Sequence, residues 1–239
     1  MTDLLFRDDA YLTSANCRVV GHTPEGGLIV DRSVFYPTGG GQPGDSGMLD
    51  WEGGRMPVAT TLKVEGGNVA LIPAEPLPMP PVGCEARQML DWGRRYRLMR
   101  MHTALHLLSV VIALPVTGGQ IGADRSRLDF DMADPLEDLA ALSGVLNSLV
   151  ARDLPVKQDW ITDADLAANP GLVKTMSVRP PVGQGRVRLI RIGEGASQID
   201  LQPCGGTHVL RTGEIGRLTA EKTEKKGRQN RRVTIALAE

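Results

Sequence analysis

Residues 94–112, Arg-Arg-Tyr-Arg-Leu-Met-Arg-Met-His-Thr-Ala-Leu-His-Leu-Leu-Ser-Val-Val-Ile, place Leu98, Met101, Leu105, Leu108 and Ile112 at the spacing of a single helix face. The run predicts a helix from about Arg94 that ends near Pro115. His102 and His106 lie four apart beside this stripe, so both imidazoles share a face near the core boundary. About a hundred residues later a second pair, Cys204 and His208, is set in Pro203-Cys204-Gly205-Gly206-Thr207-His208, where two glycines let the backbone wrap its side chains round a point. Three of the chain's 4 histidines are spent on these two pairs. Either pair alone is more often incidental. Together, thiolate and imidazole form a donor set suited to Zn2+.

Working outward from that helix, the first seventy or so residues alternate short apolar runs with turns. Residues 17–20, 28–30, 58–64 and 69–72 are separated by Gly26-Gly27, Gly53-Gly54 and Gly66-Gly67, which predicts a small β-barrel or sandwich. Pro73, Pro76, Pro78, Pro80 and Pro81 crowd one stretch and read as a stiff connector. The chain is therefore expected to hold a β domain over residues 1–82 and a second domain over 83–239. In the second, Leu128, Phe130 and Met132 alternate as a strand, and a helix is predicted from an Asp134 N-cap with Pro135 in its first turn to about Arg152. Further strands are predicted at 156–161, 186–192, 215–221 and 232–237. The fold class is α+β, a barrel-like domain followed by helices packed on a mainly antiparallel sheet.

Composition bounds the function. The formal net charge of -1 leaves no global basic field, so any RNA contact must be local. Aromatics make up only 4% of residues, which argues against the stacking platforms that grip single-stranded RNA. Arg94, Arg95, Arg97 and Arg100, and separately Lys222, Lys225, Lys226, Arg228, Arg231 and Arg232, are candidate phosphate contacts, although such runs are usually solvated surface. Cys17, Cys84 and Cys204 are odd in number and far apart, a poor disulfide framework that fits a reducing, cytoplasmic setting. Neither a signal sequence nor a membrane span is expected. The glycine-rich Gly39-Gly40-Gly41-Gln42-Pro43-Gly44-Asp45 lacks the Lys-Ser or Lys-Thr of a P-loop, and Gly183-Gln184-Gly185 is too short for a dinucleotide fingerprint.

Several of these segments carry a resemblance. Residues 101–108, Gly119-Gln120-Ile121-Gly122, Asp200-Leu201-Gln202-Pro203-Cys204-Gly205-Gly206-Thr207-His208 with Thr212-Gly213-Glu214-Ile215 behind it, and residues 39–45 together resemble AlaX. AlaX proteins are freestanding homologues of the alanyl-tRNA synthetase editing domain, and the similarity spans nearly the whole chain in the family's order. It implies a zinc-dependent hydrolase whose partner is alanine tRNA wrongly charged with serine or glycine. His102, His106, Cys204 and His208 would hold Zn2+. Gln120, expected in a loop, matches a glutamine of the family's editing pocket, and Thr38 with Gly39, Gly40, Gly41 and Gln42 would form a loop over that pocket. Arg100 is a candidate contact to the tRNA near its acceptor end.

The chemistry is coherent with that implication. A synthetase pocket rejects poorly an isostere that merely adds a hydroxyl, whereas a site built to bond that hydroxyl rejects the analogue lacking it by ~10⁴ or more. The chain has no G-x-S-x-G elbow, as expected where zinc and water cleave the ester. Four protein ligands normally close a tetrahedral zinc, while a catalytic zinc keeps one position open, so a structural zinc stays in play. Editing of seryl-tRNA for threonine and a non-catalytic, zinc-stapled tRNA-binding module are the competing readings. The oligomeric state is left open by the sequence.

Overall fold

The computed structural model describes residues 1–176 and 185–238, so Gly183 and Gln184 lie outside the described residues. The chain divides into two compact units, Met1–Tyr96 and Arg97–Glu239. In the first, β1 (Asp3–Leu4), β2 (Ser14–His22), β3 (Leu28–Val30), β4 (Arg32–Ser33), β5 (Gly47–Trp51), β6 (Gly54–Val64), β7 (Asn68–Pro73) and β8 (Glu85–Leu90) follow in turn. The barrel closes in the order β2-β3-β7-β6-β5-β8, and β1 pairs with β4 outside it. Period-two alternation explains the core: Cys17, Val19, Leu28, Val30, Leu49, Met56, Val58 and Leu71 all point inward. Burial pushes the Cys17 thiol up to about 11, the behaviour of a core residue and not of a reactive one.

The proline-rich stretch joins β7 to β8, and β8 pairs with both β2 and β5. A division at 82/83 would thus fall ahead of the strand that closes the barrel. Prolines cannot donate to a ladder, so here they mark a gap between two strands of one sheet. The glycine-rich loop is a tight turn. Gly39 and Gln42 exchange both backbone bonds at 3.0 Å, and Gly40 and Gly41 between them take φ of 58° and 82°. Two successive left-handed residues demand glycine there.

Asp45 at the end of this loop is buried against Arg95, an ion pair whose side chains are 0% and 1% exposed. Its Oδ2 also accepts the Tyr36 backbone N–H at 2.6 Å, and the guanidinium donates to the carbonyls of Val34 and Ala10. Arg95 is therefore a loop anchor, not the phosphate contact that its place in a basic run suggested; its partner lies fifty residues away in sequence.

The second unit takes up the helix α1 (Trp92–Val111) from Arg97 onward. After it come β9 (Val116–Gln120), β10 (Arg125–Asp131), α2 (Leu139–Ala151), β11 (Val156–Thr162), α3 (Asp163–Ala168), β12 (Arg186–Ile192), β13 (Asp200–Pro203), β14 (Leu218–Gly227) and β15 (Asn230–Leu237). They form a four-stranded sheet, β14-β15-β10-β9, and a three-stranded one, β11-β12-β13, with antiparallel pairing throughout. The second helix starts later than Asp134 predicted. Asp138 is the cap, its carboxylate accepting the Ala141 N–H at 2.7 Å, because only after it does an unbroken Leu/Ala run begin. Among the described residues no helix is long and apolar enough to cross a membrane.

Candidate metal centre

α1 presents His102 and His106 on one face, 7% and 6% exposed, and the turn after β13 brings Cys204 and His208 to them. The four ligand atoms lie within 4.8 Å of one another. Cys204 Sγ is 3.4 Å from His102 Nε2 and 3.2 Å from His208 Nε2. Donors round a tetrahedral zinc, with bonds of about 2.0–2.3 Å, stand about 3.3–3.6 Å apart, so this spacing fits that ion. The rings are packed accordingly, with centroids 4.2 Å apart for His102 and His208 and 4.7 Å for His106 and His208.

The electrostatics favour a thiolate among the imidazoles. Burial pushes the Cys204 thiol up, but charge on His102 and hydrogen bonds from His102 and His106 outweigh it and hold the thiol well below its ordinary range. Burial, then the charge on His102, drives His208 well below the usual imidazole value, which keeps its ring neutral and able to ligate.

Partners behind the ligands fix which nitrogen faces the centre. Asp200, on β13, has its Oδ2 2.8 Å from His106 Nδ1. Burial opposes ionisation of both, yet the bond between them prevails: Asp200 falls to about 2 and His106 rises to about 9. Lys174 Nζ donates to the other carboxylate oxygen at 2.6 Å and Gln202 Nε2 to Oδ2 at 2.8 Å. The segment that carries Lys174 is itself pinned to β9, through bonds from Val116 N to Lys174 O and from Met176 N to Val116 O. Thr103 donates to Met99 O at 2.9 Å, so its oxygen is free to accept from His208 Nδ1 at 3.2 Å. Both rings thereby turn Nε2 toward the shared point, the usual arrangement of metal-bound histidines.

Asp200, Lys174, Gln202 and Thr103 were not singled out by the sequence. Thr103, between the histidines, and Asp200, four residues before Cys204, stand inside the motifs quoted above; Lys174 carries no local signal.

The remaining sequence candidates have the following neighbours. Gln120 ends strand β9 and is not in a loop: Gly118 and Gly119 pair with Asp129 and Leu128, and a β-carbon on Gly119 would meet Leu128 Cδ2 at 2.9 Å. Its exposed side chain accepts from Arg127 Nε at 3.1 Å. Arg100 donates to Ile215 O at 2.9 Å, and Arg97 pairs with Asp124. The C-terminal basic cluster does lie on the β14–β15 hairpin, but Arg231 is buried and bonded to backbone carbonyls and Arg232 is paired with Asp129. Lys225, Lys226 and Arg228 are exposed. In the first unit Thr38 is exposed, its hydroxyl donating to Thr61 O at 3.3 Å and accepting the Gly44 N–H at 2.9 Å.

Comparison with known proteins finds relatives of the whole chain. Residues 187–234 match the family described as threonyl and alanyl tRNA synthetase second additional domain, and residues 12–84 match class II (A) tRNA synthetases. The alanyl-tRNA editing protein AlaX-M of Methanosarcina acetivorans is 33% identical over 99% of both chains. AlaX-M of Methanosarcina mazei is 33% identical over 99% of this chain and 97% of its own. The alanine–tRNA ligase of Pyrobaculum neutrophilum is 35% identical over 92% of this chain, which spans only 25% of the ligase. A full-length match at this identity, with a His–His–Cys–His group assembled by the fold, places the chain in the AlaX-M family of alanyl-tRNA editing proteins.

Proposed function

We propose that this protein is a deacylase that frees alanine tRNA from wrongly attached serine, and glycine as a second substrate, using zinc held by His102, His106, Cys204 and His208. The observation that carries the reading is the convergence of those four donors within 4.8 Å in a chain that matches AlaX-M proteins end to end. A bound zinc would supply a Lewis acid and lower the pKa of water, so that no side-chain nucleophile is needed.

The chain's own residues do the rest. Asp200 and Thr103 hold two imidazoles in the ligating orientation, and Cys204 is held as thiolate. Gln120, whose amide N–H groups are left to donate while its oxygen takes Arg127, would orient the ester carbonyl. Thr38 keeps an acceptor lone pair beyond its bonds to Thr61 and Gly44 and would take the hydroxyl hydrogen of a seryl group. Such a bond discriminates against alanyl-tRNA, since an alanyl group would leave it unmade. Arg100 and the loop Gly39–Gln42 would contact the acceptor end.

The test is deacylation of seryl-tRNA and glycyl-tRNA carrying the alanine anticodon, with alanyl-tRNA and with seryl-tRNA for threonine as controls, each with and without chelator. Chelator-sensitive loss of serine from alanine tRNA alone is expected. Turnover of the threonine tRNA would move the activity to the related editing class, and binding without turnover would leave a zinc-stapled module.

A further inference from the structure

On one face of the β11-β12-β13 sheet the described residues pass from buried to exposed along the strands. In the paired register Val156 faces Ile192, Gln158 faces Ile190, Trp160 faces Arg188 and Thr162 faces Arg186; on the other side of β12, Ile192 faces Asp200 and Ile190 faces Gln202. Directly paired residues point to one face, so these side chains share it. Burial runs down it in one direction. Val156, Ile192, Ile190, Asp200 and Gln202 are buried, the last two bonded to His106, whereas Gln158, Trp160, Thr162 and Arg186 are exposed. The change falls at Cys204 and Arg188.

What stands on the exposed part is specific. The Arg186 guanidinium lies 4.4 Å over the Trp160 ring. Arg188, next to them, donates to the carbonyls of Cys204 and Gly206 at 3.0 and 2.8 Å and to Gln158 Oε1 at 2.9 Å, which locks it to the loop that carries two of the candidate ligands. Gly205 on that loop is exposed, and a β-carbon there would meet nothing within 4 Å. Trp160 stands two strand spacings from Cys204, about 10 Å. Among the described residues, an exposed aromatic ring, a guanidinium and an amide thus stand on the strands that lead to Cys204.

We propose that this half-face is the platform for the single-stranded 3′ end of the acylated RNA: Trp160 stacks a terminal base, Arg186 meets a phosphate, and the ester passes over Gly205 to the centre. The proposal rests on the deacylase reading and deepens it. Scarcity of aromatics does not oppose it, because a single indole serves a single base, and stacking of that kind is tolerant of sequence. Trp160 is one of only 3 tryptophans in the chain, and it is more than a third exposed on a sheet whose other strands keep large apolar groups inside.

The experiment compares an RNA hairpin ending in a four-nucleotide 3′ tail with the same hairpin cut blunt, by fluorescence anisotropy against the full chain loaded with zinc. The wild type is expected to bind the tailed hairpin about tenfold more tightly or better. Trp160→Ala should erase that difference while Trp160→Phe keeps most of it, and Arg186→Gln should lower the slope of log affinity against log salt by about 0.7. Zinc content and urea midpoint of each variant are measured alongside. A wild type indifferent to the tail, or a Trp160→Ala variant that keeps the preference and loses only stability, overturns the platform and leaves Trp160 and Arg186 as a staple of the sheet. Tail-dependent binding by a protein that deacylates no tRNA would sink the deacylase reading and spare the platform; deacylation without tail dependence does the reverse.

Discussion

Asp200 and His106 meet at 2.8 Å inside the second unit, both of them buried. The carboxylate is fully buried, with Lys174 on its far oxygen. Asp200→Asn keeps the shape but removes the charge that orients the ring and leaves Lys174 without its partner. A drop of about 10–100-fold in metal affinity is expected, read by competition with a chromogenic chelator, with the circular dichroism unchanged. Equal affinity in the two proteins would show that the pair only fills space.

Cys204 is the one soft ligand of the set. Cys204→Ser should cut zinc occupancy after dialysis well below one per chain and abolish deacylation, whereas Cys17→Ser should leave both intact, since Cys17 sits in the barrel core. In the wild type, zinc should slow alkylation of Cys204 by iodoacetamide, and chelation should restore it. Mass spectrometry of the alkylated peptide is the measurement.

The Arg95–Asp45 pair anchors the glycine-rich loop by charge buried on both sides. Removing one partner strands the other, so Arg95→Met should destabilise the protein by about 3–5 kcal/mol in urea unfolding. Adding Asp45→Asn to that variant should recover part of the loss. If the double variant is worse than the single, the two residues act independently.

Thr38→Val removes an acceptor that the Gly44 N–H and, on the proposed reading, the seryl hydroxyl both use. Serine removal should fall at least tenfold while glycine removal, which has no such hydroxyl to lose, falls much less. Parallel loss of both activities would point to damage in the loop itself.

Much of this architecture is legible in the order of the residues. Paired glycines mark the barrel's turns, and two i, i+4 pairs in a histidine-poor chain mark the centre. The parts that escape such a reading share a cause, which is distance along the chain. β5 and β8 carry Gly47, Asp50, Glu85 and Arg87 among their apolar residues, so neither shows a clean alternation; only closure of the barrel makes them strands. Arg95 looks like one more surface cation until Asp45 arrives from the loop. Lys174 stands in an unremarkable Gly-Leu-Val-Lys run, and its role exists only because β9 holds that segment beside Asp200.

His102 and Cys204 touch across 102 positions of sequence. A ribosome adding about 5–20 residues per second leaves roughly 5–20 s between the emergence of these two side chains. For that interval the nascent chain exposes a bare histidine pair, without its thiolate, its third imidazole or Asp200. A metal ion held by all four side chains would therefore be captured only after Cys204 and His208 have emerged.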